Sequence, residues 1–290
     1  MRRFADKFAR ARFSGAHICR LLAAGLVTVL VAAAPSGART MMETAKEITN
    51  TTVFDNYAVD NRLTTRWGFA AVVSTPSATV LFDTGDDGAT LLANMAKLRI
   101  DSSGIHQVVI SHIHTDHLGG LGEFLRNNAK VQVFIPRSFP GQVRRMINAA
   151  GASHQDISTP TRIAPGIHTM GLLGASLQEQ AVVVETEEGL IVITGCAHPG
   201  IVAIVQRARA MMPTADIALV MGGFHLMSAS PGEIGKIVQS LRKLGVQRVA
   251  PSHCTGDPAR HQFKQAYGVN YVEGGAGMIL KFAVAKTPPR

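Results

Sequence analysis

Residues 111–120 read Ser-His-Ile-His-Thr-Asp-His-Leu-Gly-Gly and directly follow an apolar, strand-like run at 108–110. Four side chains of this stretch can bind a metal ion: His112, His114, Asp116 and His117. Imidazole and carboxylate together suit zinc and similar divalent ions. A strand that ends in such a loop places these groups at its carboxyl end, where open α/β sheets build their sites. The stretch therefore predicts a metal site, and the alternative is a polar loop that happens to be rich in histidine.

The same order of strand, histidine and helix recurs three more times along the chain. The strands are predicted at 190–194, 217–221 and 248–250, and the histidines that follow them are His198, His225 and His253. Units of this kind usually place their strands side by side, with the carboxyl ends at one edge. We therefore expect these histidines to lie at the same edge as the 111–120 loop.

The remaining pattern predicts hairpins, helices and one irregular segment. Strands are predicted at 67–74, 79–82, 131–135, 181–185 and 278–284, and helices at 89–98, 118–126, 142–150, 200–211, 231–244 and 257–268. Ser230 and Glu233 form a capping box at the start of the helix at 231–244. The segment 151–174, rich in Pro, Gly and Thr, is predicted as an irregular lid or substrate loop.

The spacing of the ligands favours two metal ions. Neighbouring residues point in different directions, so one ion should not collect all four ligands of the 111–120 loop. We assign His112, His114 and His198 to one ion, and Asp116, His117 and His253 to the other. Each ion then keeps an open position, as catalytic zinc ions do. Two such ions can bridge and activate a water, so a bridging hydroxide is the expected nucleophile.

These residues resemble the HxHxDH signature of the metallo-β-lactamase superfamily. The segment 82–85 resembles the superfamily's early strand-end motif. The segments at 67–69, 194–200, 222–226 and 253–256 are most similar to the branch that includes the archaeal dihydropterin–ribofuranosylaminobenzene phosphate synthases. The resemblance spans about residues 48–284. It implies an α/β fold, a four-layer αβ/βα sandwich of two mixed β-sheets flanked by helices, and two divalent ions with zinc as the expected metal.

One position departs from the superfamily. Most relatives have a Gly-Asp pair whose Asp bridges both metals, whereas this chain has Gly195-Cys196 at the equivalent-looking place. Cys196 is either a thiolate ligand, since metals deprotonate coordinating thiols, or a residue that lines the cavity. A disulfide with Cys254 is the alternative in an exported protein.

Other residues receive roles from their positions. Asp116 and His225 are the predicted catalytic residues, with His225 as a proton donor to the leaving group or, alternatively, a packed residue at a strand end. Asp83 is predicted to hydrogen-bond the metal loop. Thr255 and Gly256 are predicted substrate contacts, because the start of the following helix favours an anionic group.

The first 38 residues resemble a secretory signal peptide. Six basic residues precede an apolar stretch of 14 residues at 21–34, which is the order found in signal peptides. This stretch is shorter than the ~20 residues that a membrane span requires. An uncleaved anchor or a misplaced start codon are the alternatives. We predict export, most simply to a periplasm, a single domain at 39–290, and no stable membrane association after cleavage.

Composition and charge narrow the function classes. Removal of residues 1–38 takes out six of the 29 basic and one of the 20 acidic residues and leaves a net charge of +4. This mild charge argues against a nucleic-acid partner. The leading prediction is a metal-dependent hydrolase of a small ester, lactone, amide or phosphoester, with an anionic group suggested. The alternatives are a pterin-linked transferase and a metal-binding protein without turnover; the sequence predicts no oligomeric state.

Overall fold

A computed structural model describes residues 47–285 of the chain. The predicted signal peptide at 1–38 lies outside the described residues, so cleavage and export remain predictions. Within 47–285, no helix combines the length and the apolar character that a bilayer span requires.

The described residues form two mixed β-sheets. In chain order the strands are β1 (Glu47–Phe54), β2 (Ala70–Ser74), β3 (Thr79–Phe82), β4 (Gln107–Val109), β5 (Gln132–Pro136), β6 (Ser153–Ile157), β7 (Thr161–Ala164), β8 (Ile167–Thr169), β9 (Val182–Thr186), β10 (Gly189–Thr194), β11 (Ile217–Gly223), β12 (Val246–Ser252) and β13 (Ile279–Ala283). The first sheet has the order β13-β1-β2-β3-β4-β5-β6, and the second has the order β12-β11-β10-β9-β8-β7. The pairs β3–β4, β4–β5, β5–β6, β10–β11 and β11–β12 are parallel, and all other pairs are antiparallel.

Helices cover the outer face of each sheet. They are α1 (Gly88–Lys97), α2 (Thr115–Leu118), α3 (Leu121–Asn127), α4 (Gly141–Ala149), α5 (Ile201–Met211), α6 (Pro231–Lys243) and α7 (Asp257–Tyr267). One apolar cluster joins α1, α3 and α4 to the first sheet, a second joins α5, α6 and α7 to the second sheet, and a third lies between the sheets. The predicted four-layer αβ/βα sandwich is confirmed.

Strand β10 shows how the sequence produces these layers. Side chains alternate between the two faces of a strand, so a strand buried on both faces must be apolar throughout. Leu190 and Val192 pack toward the helices, while Ile191 and Ile193 pack between the sheets. The parallel arrangement of β10, β11 and β12 then brings their carboxyl ends to one edge.

The structure differs from the predicted secondary structure in several places. The segment 151–174 is not a lid but supplies β6, β7 and β8. Strands β6 and β7 each lie at one edge of a sheet. One side of an edge strand faces solvent and tolerates polar residues, so the apolar pattern that marks a strand is missing there. Strand β1 was not predicted either.

The helix predicted at 118–126 is two helices, α2 and α3, separated by Gly119 and Gly120. A Cβ on Gly120 would lie 2.2 Å from the carbonyl oxygen of Thr84. Only glycine permits this approach, which packs the metal loop against the end of β3. The capping box of α6 is confirmed, since the Ser230 side chain accepts from the Glu233 backbone and the Glu233 side chain reaches back to Ser230.

Candidate metal centre

Three imidazoles meet at one end of the 111–120 loop, a group that we call the first subsite. One ring nitrogen from each of His112, His114 and His198 lies within 4.8 Å of the others. His112 Nε2 is 3.1 Å from His114 Nδ1. The ring of His198 lies 4.8 Å from the ring of His112 and 4.9 Å from that of His114, measured between centroids.

Four potential metal ligands form the neighbouring group, which we call the second subsite. One ligand atom from each of Asp116, His117, Cys196 and His253 lies within 4.8 Å of the others. His117 Nε2 is 3.1 Å from Cys196 Sγ. His253 Nε2 is 3.2 Å from Asp116 Oδ2 and 3.4 Å from Cys196 Sγ. The two subsites adjoin, because the rings of His112 and His117 are only 4.2 Å apart.

Three of these histidines are held by a polar partner on the side that faces away from the ligand cluster. Nδ1 of His117 donates to Asp83 Oδ2 at 2.7 Å, and Nδ1 of His253 donates to Asn56 Oδ1 at 3.0 Å. Nδ1 of His112 lies 2.9 Å from Ser111 Oγ. Each such bond fixes the tautomer and directs the lone pair of Nε2 into the cluster, as the outer partners of metal ligands do.

Asp83 organises the 111–120 loop. Its carboxylate accepts from the Ser111 backbone N–H at 2.6 Å and from Ser111 Oγ at 2.7 Å, in addition to His117. The predicted hydrogen-bonding role of Asp83 is confirmed. Burial alone would lower the pKa of His117, but the charge of Asp83 and its hydrogen bond raise that pKa above its ordinary value.

Glu179 is a residue that the sequence pattern did not reveal. Its buried carboxylate accepts from the backbone N–H groups of residues 196, 197 and 198 at 3.0, 2.9 and 2.8 Å, and from Thr194 Oγ1 at 3.3 Å. Burial raises the pKa of Glu179, and the backbone donors lower it in part. Cys196 and His198 belong to different subsites, so this one carboxylate positions one potential metal ligand in each subsite.

Backbone strain is concentrated at the same edge, which we call the ligand edge: the carboxyl ends of β3, β4, β10, β11 and β12. Among the described residues, five that are not glycine have a positive φ, and four of them lie here: Asp83 (58°), Ala197 (63°), His225 (53°) and His253 (49°). Such conformations cost about 1–3 kcal/mol each and persist where surrounding contacts impose them, often at functional sites.

The donors fit metal ions. Nε2 of His198 is buried and has no hydrogen-bond partner among the described residues, which is costly unless a ligand occupies that position. Burial and the nearby His225 lower the pKa of His198 to about 4, so its imidazole is neutral and available as a ligand near pH 7. Sets of three imidazoles, and of imidazole with carboxylate and thiolate, are sets that zinc accepts.

Comparison with known proteins agrees with this geometry. The family model described as the metallo-beta-lactamase superfamily matches residues 66–145. A crystal structure described as a metal-dependent hydrolase of the beta-lactamase superfamily is 29% identical, with a TM-score of 0.67, and the similarity covers 80% of this chain and 98% of that chain. The fold is therefore the metallo-β-lactamase fold, and the family model matches the part of the chain that contains the 111–120 loop.

Two further proteins are similar to this chain. A 7,8-dihydropterin-6-methyl-4-(beta-D-ribofuranosyl)-aminobenzene-5'-phosphate synthase of Methanocaldococcus jannaschii is 28% identical, over 70% of this chain and 84% of that protein. The metallo-beta-lactamase fold protein YhfI of Bacillus subtilis is 13% identical, with a TM-score of 0.60, over 81% of this chain and 99% of that chain. The second likeness concerns the fold alone, while the first agrees with the branch suggested by the sequence.

The thiol of Cys196 lies within the second subsite. Cys196 and Cys254 are both free, so the disulfide considered from the sequence is not formed in this structure. A hydrogen bond between the two thiols, together with one from His225, lowers the pKa of Cys254 to about 4 and raises that of Cys196. Coordination would reverse this preference, because a metal removes the proton of a ligating thiol.

His225 lies beside the ligands. Its exposed ring is 4.3 Å from that of His198, and a ring nitrogen lies within 4.8 Å of the sulfurs of Cys196 and Cys254. A partly exposed imidazole at this place can reach a bound molecule, which the packed alternative would not allow.

The structure does not place Thr255 and Gly256 as the sequence predicted. Thr255 is fully buried, and its hydroxyl accepts from the Phe224 backbone at 3.0 Å and donates to the Ser252 carbonyl at 2.6 Å. Gly256 packs against Met227, since a Cβ there would lie 2.9 Å from Met227 Cγ. The Thr255 side chain therefore holds two strand ends together and presents no group to a substrate.

Proposed function

We propose that this protein is a metal-dependent hydrolase of a small ester, lactone, amide or phosphoester. The observation that carries the proposal is the pair of adjoining subsites at the ligand edge, with three and four donor atoms respectively. Three protein ligands that leave a position open, as the first subsite offers, are typical of catalytic zinc. The relative described as a metal-dependent hydrolase supports the same reading.

The donors divide the work. His112, His114 and His198 would hold one divalent ion, and Asp116, His117 and His253, with Cys196, would hold the second. Bound in this way, the ions would supply an activated water and a positive charge that polarises the bond under attack. Zinc is the ion that this donor set suits best.

Asp116 contributes charge at the second subsite. Burial raises the pKa of Asp116, but its contact with His253 and the charge of His117 outweigh it and hold the pKa below its ordinary value. The carboxylate is therefore ionised across the working range of pH. It lies 3.2 Å from His253 Nε2, where its charge would offset part of the charge of a bound ion.

His225 is the proposed proton donor to the leaving group. It lies outside the two subsites, its ring is exposed, and it adjoins His198. A general acid must be within hydrogen-bond reach of the leaving atom, and a position on the open side of the cluster meets that requirement.

Hydrolysis and metal analysis test the proposal together. Purified protein should contain one to two transition-metal ions per chain. A panel of chromogenic esters, lactones, amides and phosphoesters should reveal turnover that a chelator abolishes and zinc or manganese restores. Metal-loaded protein that turns over no member of the panel would favour a metal-binding protein without turnover, and purified protein that takes up no metal would refute the site.

A synthase is the second candidate, supported by the 28% identical relative. The nucleophile would then be the aminobenzene ribofuranosyl phosphate, which would displace a leaving group such as diphosphate from the methyl carbon of an activated 6-methyl-dihydropterin. Mass spectrometry of an incubation with that activated dihydropterin and the aminobenzene ribofuranosyl phosphate, with and without chelator, distinguishes the candidates. A metal-dependent coupled product without hydrolysis of the panel would replace the hydrolase assignment.

We also propose export of the mature chain, most simply to a periplasm, on the basis of the sequence pattern at 1–38. Sequencing of the amino terminus from fractionated cells tests this. An intact Met1 in the cytoplasmic fraction would refute it.

A further inference from the structure

Trp67 is an exposed aromatic residue that stands directly on the second subsite. Its side chain is 45% exposed, and its ring lies 4.8 Å from that of His253, measured between centroids, with a tilt of 51°. His253 is one of the donors of the second subsite. One face of the indole therefore contacts a proposed ligand, while much of the ring remains open to solvent.

The backbone on both sides of Trp67 is fixed. Arg66 forms a two-pronged salt bridge with Asp86, with nitrogen–oxygen distances of 2.9 and 2.8 Å. On the other side, a Cβ on Gly68 would lie 2.5 Å from the carbonyl oxygen of Asp116, and the Phe69 N–H donates to that oxygen at 3.2 Å. The chain segment that carries the exposed ring is thus attached to the metal loop itself.

Exposed apolar residues are sparse elsewhere but occur twice around the ligands. Only five large apolar side chains among residues 47–285 are exposed, and they are Val59, Trp67, Met227, Val269 and Ile279. Met227 is two residues beyond His225 and packs on Gly256, close to the end of β12. Two of the five therefore flank the donor cluster, which is where an apolar part of a substrate would lie.

A fixed, exposed aromatic ring next to a catalytic centre is suited to bind a flat group. Aromatic pairs gain from stacked or edge-to-face contact beyond the area that they bury. A rigid ring also loses little conformational freedom on binding, so more of the contact appears as affinity.

We propose that Trp67 is a specificity-determining residue that packs against a planar, apolar group of the substrate while the anionic or scissile group lies at the metals. This inference rests on the proposed hydrolase function and narrows its substrate class to molecules that carry an aromatic ring beside the reacting group.

Two uncleavable probes of matched size test the proposal. Phenylphosphonate and cyclohexylphosphonate have the same anionic group and six ring carbons, but only the first is flat. Calorimetric titration of the zinc-loaded full chain should show roughly 3- to 10-fold tighter binding of phenylphosphonate, the range that a stacked aromatic pair supplies. Because Trp67 is the sole tryptophan, its fluorescence should also change when phenylphosphonate binds.

Variants separate the ring from the fold. Trp67→Phe should keep the preference for the flat probe, and Trp67→Ala should lose it while still binding cyclohexylphosphonate. Val269→Ala, which removes an exposed apolar side chain outside the ligand edge, is the control and should behave as wild type. Metal content and circular dichroism should be unchanged in all three.

The outcomes distinguish this inference from the function on which it rests. An equal preference for phenylphosphonate in wild type and Trp67→Ala overturns the role of Trp67 but leaves the hydrolase proposal standing. Failure of zinc-loaded wild type to bind either probe overturns both the anionic subsite and the stacking inference. If Trp67→Ala does not fold, loss of the preference in Trp67→Phe would still overturn the proposal, because that variant retains a ring.

Discussion

The two subsites differ in how firmly the protein holds their donors. In the second subsite, His117 and His253 are fully buried and each is bonded to a polar partner, Asp83 or Asn56. In the first subsite, His114 is exposed and Nε2 of His198 is buried without a partner among the described residues. The donors of the second subsite are therefore held in place before a metal ion binds, whereas those of the first subsite are only partly held.

Charge separates the subsites as well. The first offers three imidazoles and no anionic group, so a divalent ion there keeps its full charge. The second adds the Asp116 carboxylate and the Cys196 thiol, and Asp83 stands behind His117. Preorganised and charge-compensating donors bind more tightly, because less reorganisation accompanies binding. We therefore expect the second subsite to retain its ion more firmly and the first to exchange it more readily.

The largest expected effect on metal binding and activity comes from a change at Asp116. Asp116→Asn keeps the size of the side chain but removes the only carboxylate donor of the second subsite. Metal content should fall by one ion per chain, and kcat/KM should fall by more than ~10²-fold, since even partners behind metal ligands are worth about 10- to 100-fold. Atomic absorption and steady-state kinetics at saturating metal measure both effects.

The fold should tolerate this change. The Asp116 contact to Phe69 uses the backbone carbonyl, which the variant retains. Far-ultraviolet circular dichroism of metal-free Asp116→Asn should match that of metal-free wild type. Full activity with a normal metal content would contradict the role of Asp116 at the second subsite.

Glu179→Gln tests the link between the subsites. The amide has only one oxygen that can accept a hydrogen bond, so its NH₂ group would face a backbone N–H that the carboxylate now satisfies. The bond most readily lost is that from the His198 N–H, which is the bond to Oε2 at 2.8 Å. Two opposed donors in a buried place are costly. We expect the first subsite to lose roughly 10- to 100-fold in metal affinity and the second to lose less.

Glu185→Gln is the matched control. Glu185 carries the same side chain on β9 but is partly exposed and pairs with His168 at 2.8 Å, outside both donor groups. Metal titrations of the two variants should differ. Equal metal affinity in Glu179→Gln and Glu185→Gln would show that the carboxylate has no positioning role.

The sequence predicted the donors far better than their supports. Ligands were recognisable because each follows an apolar strand, and His198 and His253 could be placed near the 111–120 loop by the direction of parallel strands. Glu179 could not be found in this way. It lies 15 to 19 residues before the groups that it binds, in a polar stretch that marks no helix or strand. Its role depends on tertiary structure alone.

The edge strands illustrate the same limit within the fold. The polar strand β6 pairs with β5 from Ser153 to Ile157, and that partner, rather than its own periodicity, makes it a strand.

Thr255 shows the same limit of sequence-based prediction at the site. Its position before a helix suggested a substrate contact, but the neighbouring strand ends of β11 and β12 engage its hydroxyl. Local patterns therefore predicted where the site lies but not which polar groups remain free.

The smallest expected effect concerns Cys196, the thiol of the second subsite. Cys196→Ser keeps a small polar group but offers a hydroxyl in place of a soft donor. Zinc affinity of the second subsite should fall by about 10-fold, the lower end of the range for partners of metal sites, while manganese, which prefers oxygen, should be little affected. The difference between the two metals is the signature of thiolate ligation.

Cobalt substitution provides the direct measurement. Cobalt-loaded wild type should show the near-ultraviolet charge-transfer band of a sulfur ligand, and Cys196→Ser should lack it. Cys254→Ser is the control, because Cys254 lies next to Cys196 but belongs to the group with His225 rather than to the second subsite. If Cys196→Ser keeps the band and its zinc content while Cys254→Ser loses them, the sulfur ligand is Cys254, and the two subsites would then differ in charge by Asp116 alone.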